Sequence, residues 1–204
     1  MNEIDEKTVF SHPRPLKSSS KGQVIRFRAK LGANSPNAAA IDCVLKLFPE
    51  CFRILYDKEV AVYQTLLYHK YLSFCPTPLG KAEWTFSKYA KVVGQKNAKL
   101  NNDGTILVLM LEFVDGPILS PSLIKDSKTI AIGLLKTLNQ LHACRIVHGD
   151  VSLSNVKLLD NQPDNEPRIV WLDFSSSWIH ASKAQLDWET KLCLAYVAKW
   201  VEPV

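Results

Sequence analysis

Two stretches of sequence, VHGDVSLSNV at 147–156 and IVWLDFS at 169–175, decide the fold of this chain. In each, an apolar run that predicts a short strand meets polar residues that predict a loop. Asp150, Asn155 and Asp173 therefore lie on loops at strand ends. Phosphoryl transfer needs a carboxylate that orients the attacking hydroxyl and oxygen ligands that hold Mg²⁺ against the phosphates. These three residue types favour that chemistry.

The order of these residues resembles a known pattern. His148, Asp150 and Asn155 are spaced as His-x-Asp-x-x-x-x-Asn, and Asp173 begins an Asp-Phe-x motif, as in the catalytic and magnesium loops of the protein-kinase-like superfamily. The resemblance spans about residues 23–200. It implies an α+β, two-lobed fold with a small β-rich N-lobe and a short, mostly helical C-lobe. It also implies ATP and Mg²⁺ as the bound groups.

The composition is that of an ordinary globular chain, since 47% of its 204 residues are apolar and 22% are charged. The length exceeds the ~100 to 150 residues typical of one domain, which is compatible with two lobes. No apolar run approaches the ~20 residues that cross a bilayer, and the polar start MNEIDEKTVF is unlike a signal peptide. We therefore expect no membrane partner and a cytoplasmic or nuclear location.

Cysteine usage and net charge argue against several classes of site. The five cysteines are scattered, without a Cys-x-x-Cys pair, so we expect buried or half-buried free thiols and neither disulfides nor zinc. The net charge of +5 suits an anionic partner such as a nucleotide. We interpret it as dispersed and too small to predict nucleic-acid binding.

The chain is predicted to begin with a flexible leader. Residues 11–22, SHPRPLKSSSKG, are rich in Pro, Ser and basic residues, which predicts a loop or leader over residues 1–22. The kinase-like N-lobe would then cover residues 23–114, and a shortened C-lobe residues 115–204. The hydrophobic pattern predicts strands over 24–29, 41–48, 84–89, 105–114, 156–159 and 168–174, and helices over 52–71, 126–143 and 187–200. The first two strands are expected to form a hairpin.

A lysine and a glutamate lie at core-facing positions. The alternation of the strand 41–48 places Lys46 between Val44 and Phe48 on one face, and the helical spacing of 52–71 places Glu59 on the apolar stripe. Each charge is costly alone, so we expect the two to pair. By the resemblance, Lys46 would bind the α- and β-phosphates of ATP and Glu59 would hold Lys46. The alternative is a half-exposed lysine whose head reaches water.

The buried strand 105–114 ends in Leu111-Glu112-Phe113-Val114-Asp115-Gly116, which resembles the hinge between kinase lobes. By this resemblance, backbone groups beside Glu112 and at Val114 would pair with adenine, with Leu111 at the back of the pocket. An ordinary strand followed by an Asp-Gly turn is the alternative.

The resemblance also assigns roles to the loop residues. Asp150 would accept the proton of the attacking hydroxyl, Asp173 would bridge Mg²⁺ to the phosphates, and Asn155 would bind a second Mg²⁺. His148 would hold the loop rather than act as the base. Taken singly, Asp150 and Asn155 are also common turn and cap residues.

The sequence departs from the protein-kinase pattern at several points. Gly149 replaces the arginine before the catalytic aspartate, and Ser152 replaces the lysine two residues after it, which is more like aminoglycoside and choline kinases or the small atypical kinase of the KEOPS complex. No Ala-Pro-Glu motif follows, and Gly22 and Gly32 are the glycines that precede Lys46. Asp187 is interpreted as the N-cap of the last helix, and by the resemblance it would brace the catalytic loop.

Three functions remain open. The first is a kinase that transfers phosphate to a protein hydroxyl. The second is a small-molecule kinase, favoured by His-Gly-Asp and by the missing peptide platform. The third is a pseudokinase scaffold, suggested by the scarce glycines and the short C-terminal part.

Overall fold

The computed structural model describes residues 1–19, 21–31, 39–100, 104–125, 127–159 and 168–201 of an α+β protein. The chain divides into two compact units. The first unit comprises Met1–Asp57 and Thr77–Phe113, and the second comprises Lys58–Pro76 and Val114–Val204.

The first unit is built on an antiparallel sheet. Its strands are β1 (Val9–Ser19), β2 (Gly22–Lys30), β3 (Ala40–Pro49), β4 (Pro78–Thr85) and β5 (Thr105–Glu112). They are ordered β1-β2-β3-β5-β4, so the predicted hairpin of β2 and β3 is confirmed. The prediction of a buried inner strand is also confirmed, because β5 lies between two neighbours and is buried from Ile106 to Leu111.

One face of this sheet carries the core of the unit. Alternate residues of β2 and β3, such as Ile25 and Leu45, pack with β5 and with helix α2 (Phe86–Val93). Thr85 caps α2 by accepting a hydrogen bond from the backbone N–H of Lys88. Burial of alternate side chains is what the period-2 pattern of the strands requires.

Two predictions for the first unit were wrong. Strand β1 occupies most of the residues 11–22 that we had assigned to a leader, and it pairs with β2 from Val9 to Ser19. The segment 84–89 is the end of β4 followed by α2 and not one strand. The connection between β2 and β3 at residues 32–38 lies outside the described residues.

The second unit contains the C-terminal part of helix α1 (Arg53–Tyr68), the later helices and a two-stranded sheet. These elements are α3 (Pro121–Lys125), α4 (Lys128–Ala143), β6 (Val156–Leu159), β7 (Arg168–Trp171) and α5 (Lys183–Val201). The predicted helix at 126–143 is confirmed as α4, with Ser127 as its N-cap, whereas Asp126 lies outside the described residues. Strands β6 and β7 pair antiparallel, as predicted, and the loop between them at 160–167 lies outside the described residues.

All five cysteines are free thiols. The prediction that they would be buried or half-buried is confirmed for four of them and is wrong for Cys51, which is exposed. Within the described residues, no helix combines the length and the apolar character that a bilayer crossing requires.

Candidate functional site

The two loops predicted to carry the chemistry are joined within the second unit. The backbone N–H of Leu172 donates to the carbonyl oxygen of Asn155 (2.7 Å), and Nε2 of His148 lies 3.0 Å from the carbonyl oxygen of Leu172. Leu172 directly precedes Asp173. The loop 148–155 and the Asp173 loop are therefore held together by one backbone bond and one side-chain bond at the ends of β6 and β7.

Asn155 fixes the side chain of Asp150. The Nδ2 atom of Asn155 donates to the backbone oxygen of Asp150 (3.1 Å) and to its Oδ2 (2.9 Å). Asn155 is buried, whereas Asp150 is exposed and accessible to a substrate. Since the amide nitrogen faces Asp150, the oxygen Oδ1 is the atom of Asn155 that can bind a cation.

His148 is a buried support of the loop. Its Nε2 must carry a proton because the Leu172 carbonyl can only accept, and its Nδ1 must be unprotonated because it accepts from the backbone N–H of Asp150 (3.3 Å). Burial lowers the pKa of His148 and outweighs the opposing effect of Glu189 and the Leu172 bond. A neutral imidazole with both nitrogens engaged fits a structural role.

Gly149 has a geometric reason for being glycine. Its φ is +79°, which side chains disfavour, and a Cβ at this position would overlap the carbonyl oxygen of Ser176. The arginine of protein kinases could not be accommodated in this backbone conformation. The departure noted in the sequence is thus tied to the close approach of the segment that follows Asp173.

Glu189 holds the backbone of the loop from helix α5. Its Oε2 accepts from the N–H of His148 (2.9 Å) and from Nε2 of His142 (2.8 Å), and its Oε1 accepts from the N–H of Gly149 (2.7 Å). Burial would raise the pKa of this carboxyl, but the bonds from His142 and the two backbone groups hold the pKa below its usual range. Sequence reasoning missed this residue.

Asp187 was assigned the role that Glu189 occupies, and both parts of that prediction were wrong. Helix α5 begins at Lys183, so Asp187 lies inside the helix and is not its N-cap. Its side chain is half-exposed and pairs with Lys183 at 2.6 Å. Because 187 and 189 are two positions apart on a helix, they face different directions.

The sequence contains a signal for the true start of α5. Ser182-Lys183-Ala184-Gln185 is a capping box, in which the Gln185 N–H donates to the Ser182 hydroxyl and the Gln185 side chain accepts from the Ser182 N–H. A helix that starts there places Glu189 on the same stripe as Cys193 and Val197, all of which are buried. The capping box therefore predicts that Glu189 is buried, although it does not identify the loop as the partner of Glu189.

Asp173 lies between the end of β7 and a short helical turn at Phe174–Ser176. Its backbone is left-handed (φ 62°, ψ 75°), and its Oδ1 accepts from the Ser175 hydroxyl at 2.8 Å. Left-handed backbone is uncommon for residues other than glycine, although aspartate tolerates it better than most. Such local strain is frequent at functional sites.

Glu59 belongs to the part of α1 that lies in the second unit. It is fully buried, and its Oε1 accepts from the N–H of Phe174 at 3.4 Å. One turn along the helix, the ring of Tyr63 packs edge-on against Phe174, with the centroids 5.3 Å apart. Helix α1 therefore contacts the residue next to Asp173 through both a carboxylate and a ring.

The residues predicted to bind the nucleotide are divided between the units. Lys46 is buried on β3, and Leu111 and Glu112 end β5, all in the first unit. The Glu112 side chain is held by the N–H and hydroxyl of Thr77 (3.2 and 2.7 Å). In the second unit, Val114 accepts a bond from Nζ of Lys157 (2.7 Å) on one lone pair of its carbonyl oxygen. The pairing of Lys46 with Glu59 and the contacts with adenine stay predictions.

Asp173 and Asn155 offer oxygen atoms of the kind that magnesium prefers. Among the described residues, no three His, Cys, Asp or Glu side chains cluster into a metal site. Magnesium needs fewer protein ligands, because one or two carboxylates suffice when phosphate oxygens and water complete the shell. The carboxylate of Asp173 and the amide oxygen of Asn155 are ligands of this kind.

Comparison with known proteins gives no relative from which a function can be transferred. No family model matches the chain, and no curated protein matches it either. The function must therefore be inferred from the residues of the chain itself.

Proposed function

We propose that this chain is an ATP-dependent phosphotransferase of the protein-kinase-like superfamily, with a two-lobed fold, and that a protein hydroxyl is its acceptor. The observation that supports the proposal most is the pair of hydrogen bonds that Leu172 makes with Asn155 and His148, because they join the loop of Asp150 to the loop of Asp173. A second observation is that Asn155 binds Oδ2 of Asp150 through its side chain and the N–H of Leu172, next to Asp173, through its carbonyl oxygen.

In the proposed reaction, the acceptor hydroxyl attacks the γ-phosphorus of ATP while the bond to the β–γ bridging oxygen breaks. The phosphoryl group passes to the hydroxyl, ADP leaves, and the hydroxyl proton passes to a carboxylate oxygen of Asp150. The Asn155 amide holds one of these oxygens, Oδ2, at 2.9 Å, and so fixes the carboxylate that orients the hydroxyl.

Asp173 and Asn155 would hold magnesium, which supplies positive charge to the phosphate oxygens when it is bound. Ser175 orients the Asp173 carboxylate through the bond to Oδ1. Lys46 keeps the role that the resemblance gives it, which is to bind the α- and β-phosphates. Glu59 has the proposed second task of holding Lys46.

Nucleotide binding is the first test. Mg-ATP should raise the melting temperature of the full chain, because a ligand that binds the folded state stabilises it by mass action. Asp173→Asn should remove most of that increase, whereas Asp187→Asn, which changes a half-exposed helix residue, should not. If nucleotide and metal produce no shift in the unsubstituted chain, the scaffold function is favoured and the proposal fails.

Transfer is the second test. Asp150→Ala should lower the rate of phosphate transfer by about 10² to 10⁴, the usual contribution of a general base, while leaving the Mg-ATP shift intact. Asp187→Ala, which removes an exposed acid in the same unit, is the control. Transfer that survives Asp150→Ala would refute the role of this residue. Radiolabelled ATP with a protein lysate measures the reaction.

A small-molecule kinase is the second candidate, because Gly149 takes the place of the protein-kinase arginine in a backbone conformation that excludes a side chain. A panel of amino alcohols and sugars, assayed beside the lysate, separates the two. Transfer to a panel member and none to protein would favour the small-molecule function.

A further inference from the structure

The hairpin formed by β1 and β2 concentrates the positive charge of the chain. Residues 9–31 contain six Lys and Arg residues and no Asp or Glu. The whole chain has 25 basic and 20 acidic residues, so the other 181 residues hold 19 basic and 20 acidic ones. Our interpretation of the charge as dispersed was therefore wrong.

The strand register places these cations on one face. Arg14 pairs directly with Arg26, and Lys17 with Val24, so each pair shares a face of the sheet. Alternate residues of β2 share that face as well, which adds Arg28 and Lys30. We call Arg14, Lys17, Arg26, Arg28 and Lys30 the basic face. The opposite side of β2 packs into the core of the first unit.

Internal pairing neutralises little of this charge. Asp42 on β3 binds Arg26 closely (3.1 Å) and Arg28 loosely (3.8 Å), and the Arg28 side chain is 59% exposed. Arg14, Lys17 and Lys30 are exposed and have no ion pair within the described part of the chain. Most of the basic face is thus accessible to an external anion.

The spacing of the cations matches an extended peptide. Alternate residues of a strand are about 6.6 Å apart, and the side chains on one face of an extended peptide have the same repeat. The row from Arg26 to Lys30 therefore faces carboxylates at every second position of such a peptide. The row spans only about 13 Å, which suits a short segment.

Two other modes of binding fit less well. Addition of a strand to the edge of β1 is opposed by Pro13 and Pro15 and by two irregularities in the β1 register, which blunt the edge. Single-stranded nucleic acid binds through aromatic rings that stack on bases. No aromatic residue belongs to the basic face, and the nearby ring of Phe113 is covered by the Arg26 guanidinium at 3.8 Å.

We propose that the basic face is a docking site for an acidic, extended segment of a partner polypeptide, with carboxylates at alternate positions. Neither Asp150 nor Asp173 belongs to this site, so its test does not require phosphotransfer. Lys46 pairs with Val24 in the strand register and therefore lies on the same face of the sheet. If the chain is a protein kinase, the segment would lie in the acceptor protein or in a regulator.

Binding of a labelled peptide of alternating Glu and Ser to the full chain tests the proposal, with fluorescence anisotropy as the readout. The peptide should bind at low salt and weaken as salt is added, and its Gln and Ser counterpart should not bind. The double variant Arg28→Gln, Lys30→Gln should weaken binding about fivefold. The control Lys99→Gln, Lys191→Gln makes the same charge change at exposed sites outside the hairpin and should have little effect.

A variant that should bind the peptide more tightly is also tested, because misfolding could explain a loss of affinity but not a gain. Asp42→Asn removes the carboxylate that competes for Arg26 and Arg28, and it should tighten peptide binding about twofold. Equal weakening by both double variants, or no binding of the acidic peptide, would overturn the proposal. Tighter binding of an oligouridine than of the peptide, lost in the Arg28→Gln, Lys30→Gln variant, would assign the face to nucleic acid instead.

Discussion

The two units differ in the kind of side chain that they bury. Among the described residues of the first unit, the buried polar or charged ones are Gln23 and Lys46, and most of the core is aliphatic or aromatic. Among those of the second unit, they are Glu59, His148, Asn155, Ser177 and Glu189. Every one of these five contacts a residue of the two loops or belongs to them.

This difference separates two ways of fixing a structure. Apolar burial stabilises a sheet without specifying the position of any one polar atom. Buried polar groups are costly unless every partner is in place, so they define one geometry closely. The second unit uses them where the candidate chemistry needs defined positions, as in the Asn155 bond to Asp150.

The largest expected effect concerns the carboxylate of Glu189. Glu189→Ala leaves the N–H groups of His148 and Gly149 without their acceptor in the interior, which should lower the free energy of unfolding by about 3 to 5 kcal/mol. Asp187→Ala on the same helix removes only an exposed pair and should cost less than about 1 kcal/mol. Urea unfolding measures both. Equal losses would contradict the assignment of the support role to Glu189.

The next largest effect is the loss of stability when a glycine in each unit is replaced by alanine. Gly149→Ala in the second unit should cost about 3 kcal/mol or more, because a left-handed backbone and an overlap with the Ser176 carbonyl act together. Gly94 in the first unit also has a positive φ (81°), but a Cβ added there would lie 3.9 Å from the nearest atom, Nδ2 of Asn97. Gly94→Ala should cost about 1 to 2 kcal/mol, from its backbone conformation alone. Thermal unfolding distinguishes the two costs.

Removing the hydroxyl from each of two buried tyrosines should change the stability of the chain in opposite directions. The Tyr89 hydroxyl donates to Gln23 (2.7 Å) and accepts from the N–H of Leu100 (3.3 Å), so Tyr89→Phe should cost about 1 to 2 kcal/mol. The Tyr63 hydroxyl is buried and has no hydrogen-bond partner among the described residues, and burial raises its pKa well above the usual range. Tyr63→Phe should therefore stabilise the chain by up to about 1 kcal/mol. Destabilisation by Tyr63→Phe would indicate a partner for that hydroxyl.

The dependence of stability on pH should be the most gradual effect. Burial lowers the pKa of His148, so below the unfolded pKa of about 6.5 the unfolded chain binds a proton that the folded chain does not. The bonds to Glu189 hold its pKa down despite burial, so its contribution is present above about 4.3 and is lost as pH falls through the lower folded pKa.

Both groups therefore destabilise the fold in acid, by at most about 1.4 kcal/mol per pH unit for each proton. Urea unfolding at a series of pH values from 8 to 4 measures this slope. A free energy of unfolding that stays constant below pH 6.5 would mean that His148 is protonated without cost. In that case the bond pattern assigned to its two nitrogens would be wrong.

The periodicity of the sequence correctly predicted the strands and the helix in which apolar residues recur regularly. Strands β2, β3 and β5 and helix α4 have clear apolar repeats, and each lies where it was expected. Strand β1 was not predicted, because Pro13 and Pro15 are typical of loops. An edge strand tolerates prolines that an inner strand would exclude. Helix α2 was missed although Phe86, Tyr89 and Val93 recur at helical spacing and Thr85 is its N-cap, because the segment 84–89 was assigned to a strand.

The loop residues were found by their type and spacing, whereas their support was not. Asp150, Asn155 and Asp173 lie on motifs that can be recognised in sequence. Glu189 lies 41 positions beyond His148, and no local pattern connects the two. Only the fold brings such residues together, and the one helpful signal, the capping box at Ser182, concerned the start of the helix and not its partner.

Because four of the five thiols are buried, their reaction with a thiol reagent would report the unfolding of the chain. Burial raises the pKa of Cys43 and of Cys193 to about 12, and the thiolate is the form that reacts with alkylating reagents. Cys51 is exposed, so a maleimide dye should label it first and leave the four buried thiols for the unfolded state. Counting dye adducts by mass spectrometry would then follow each substitution without an added probe.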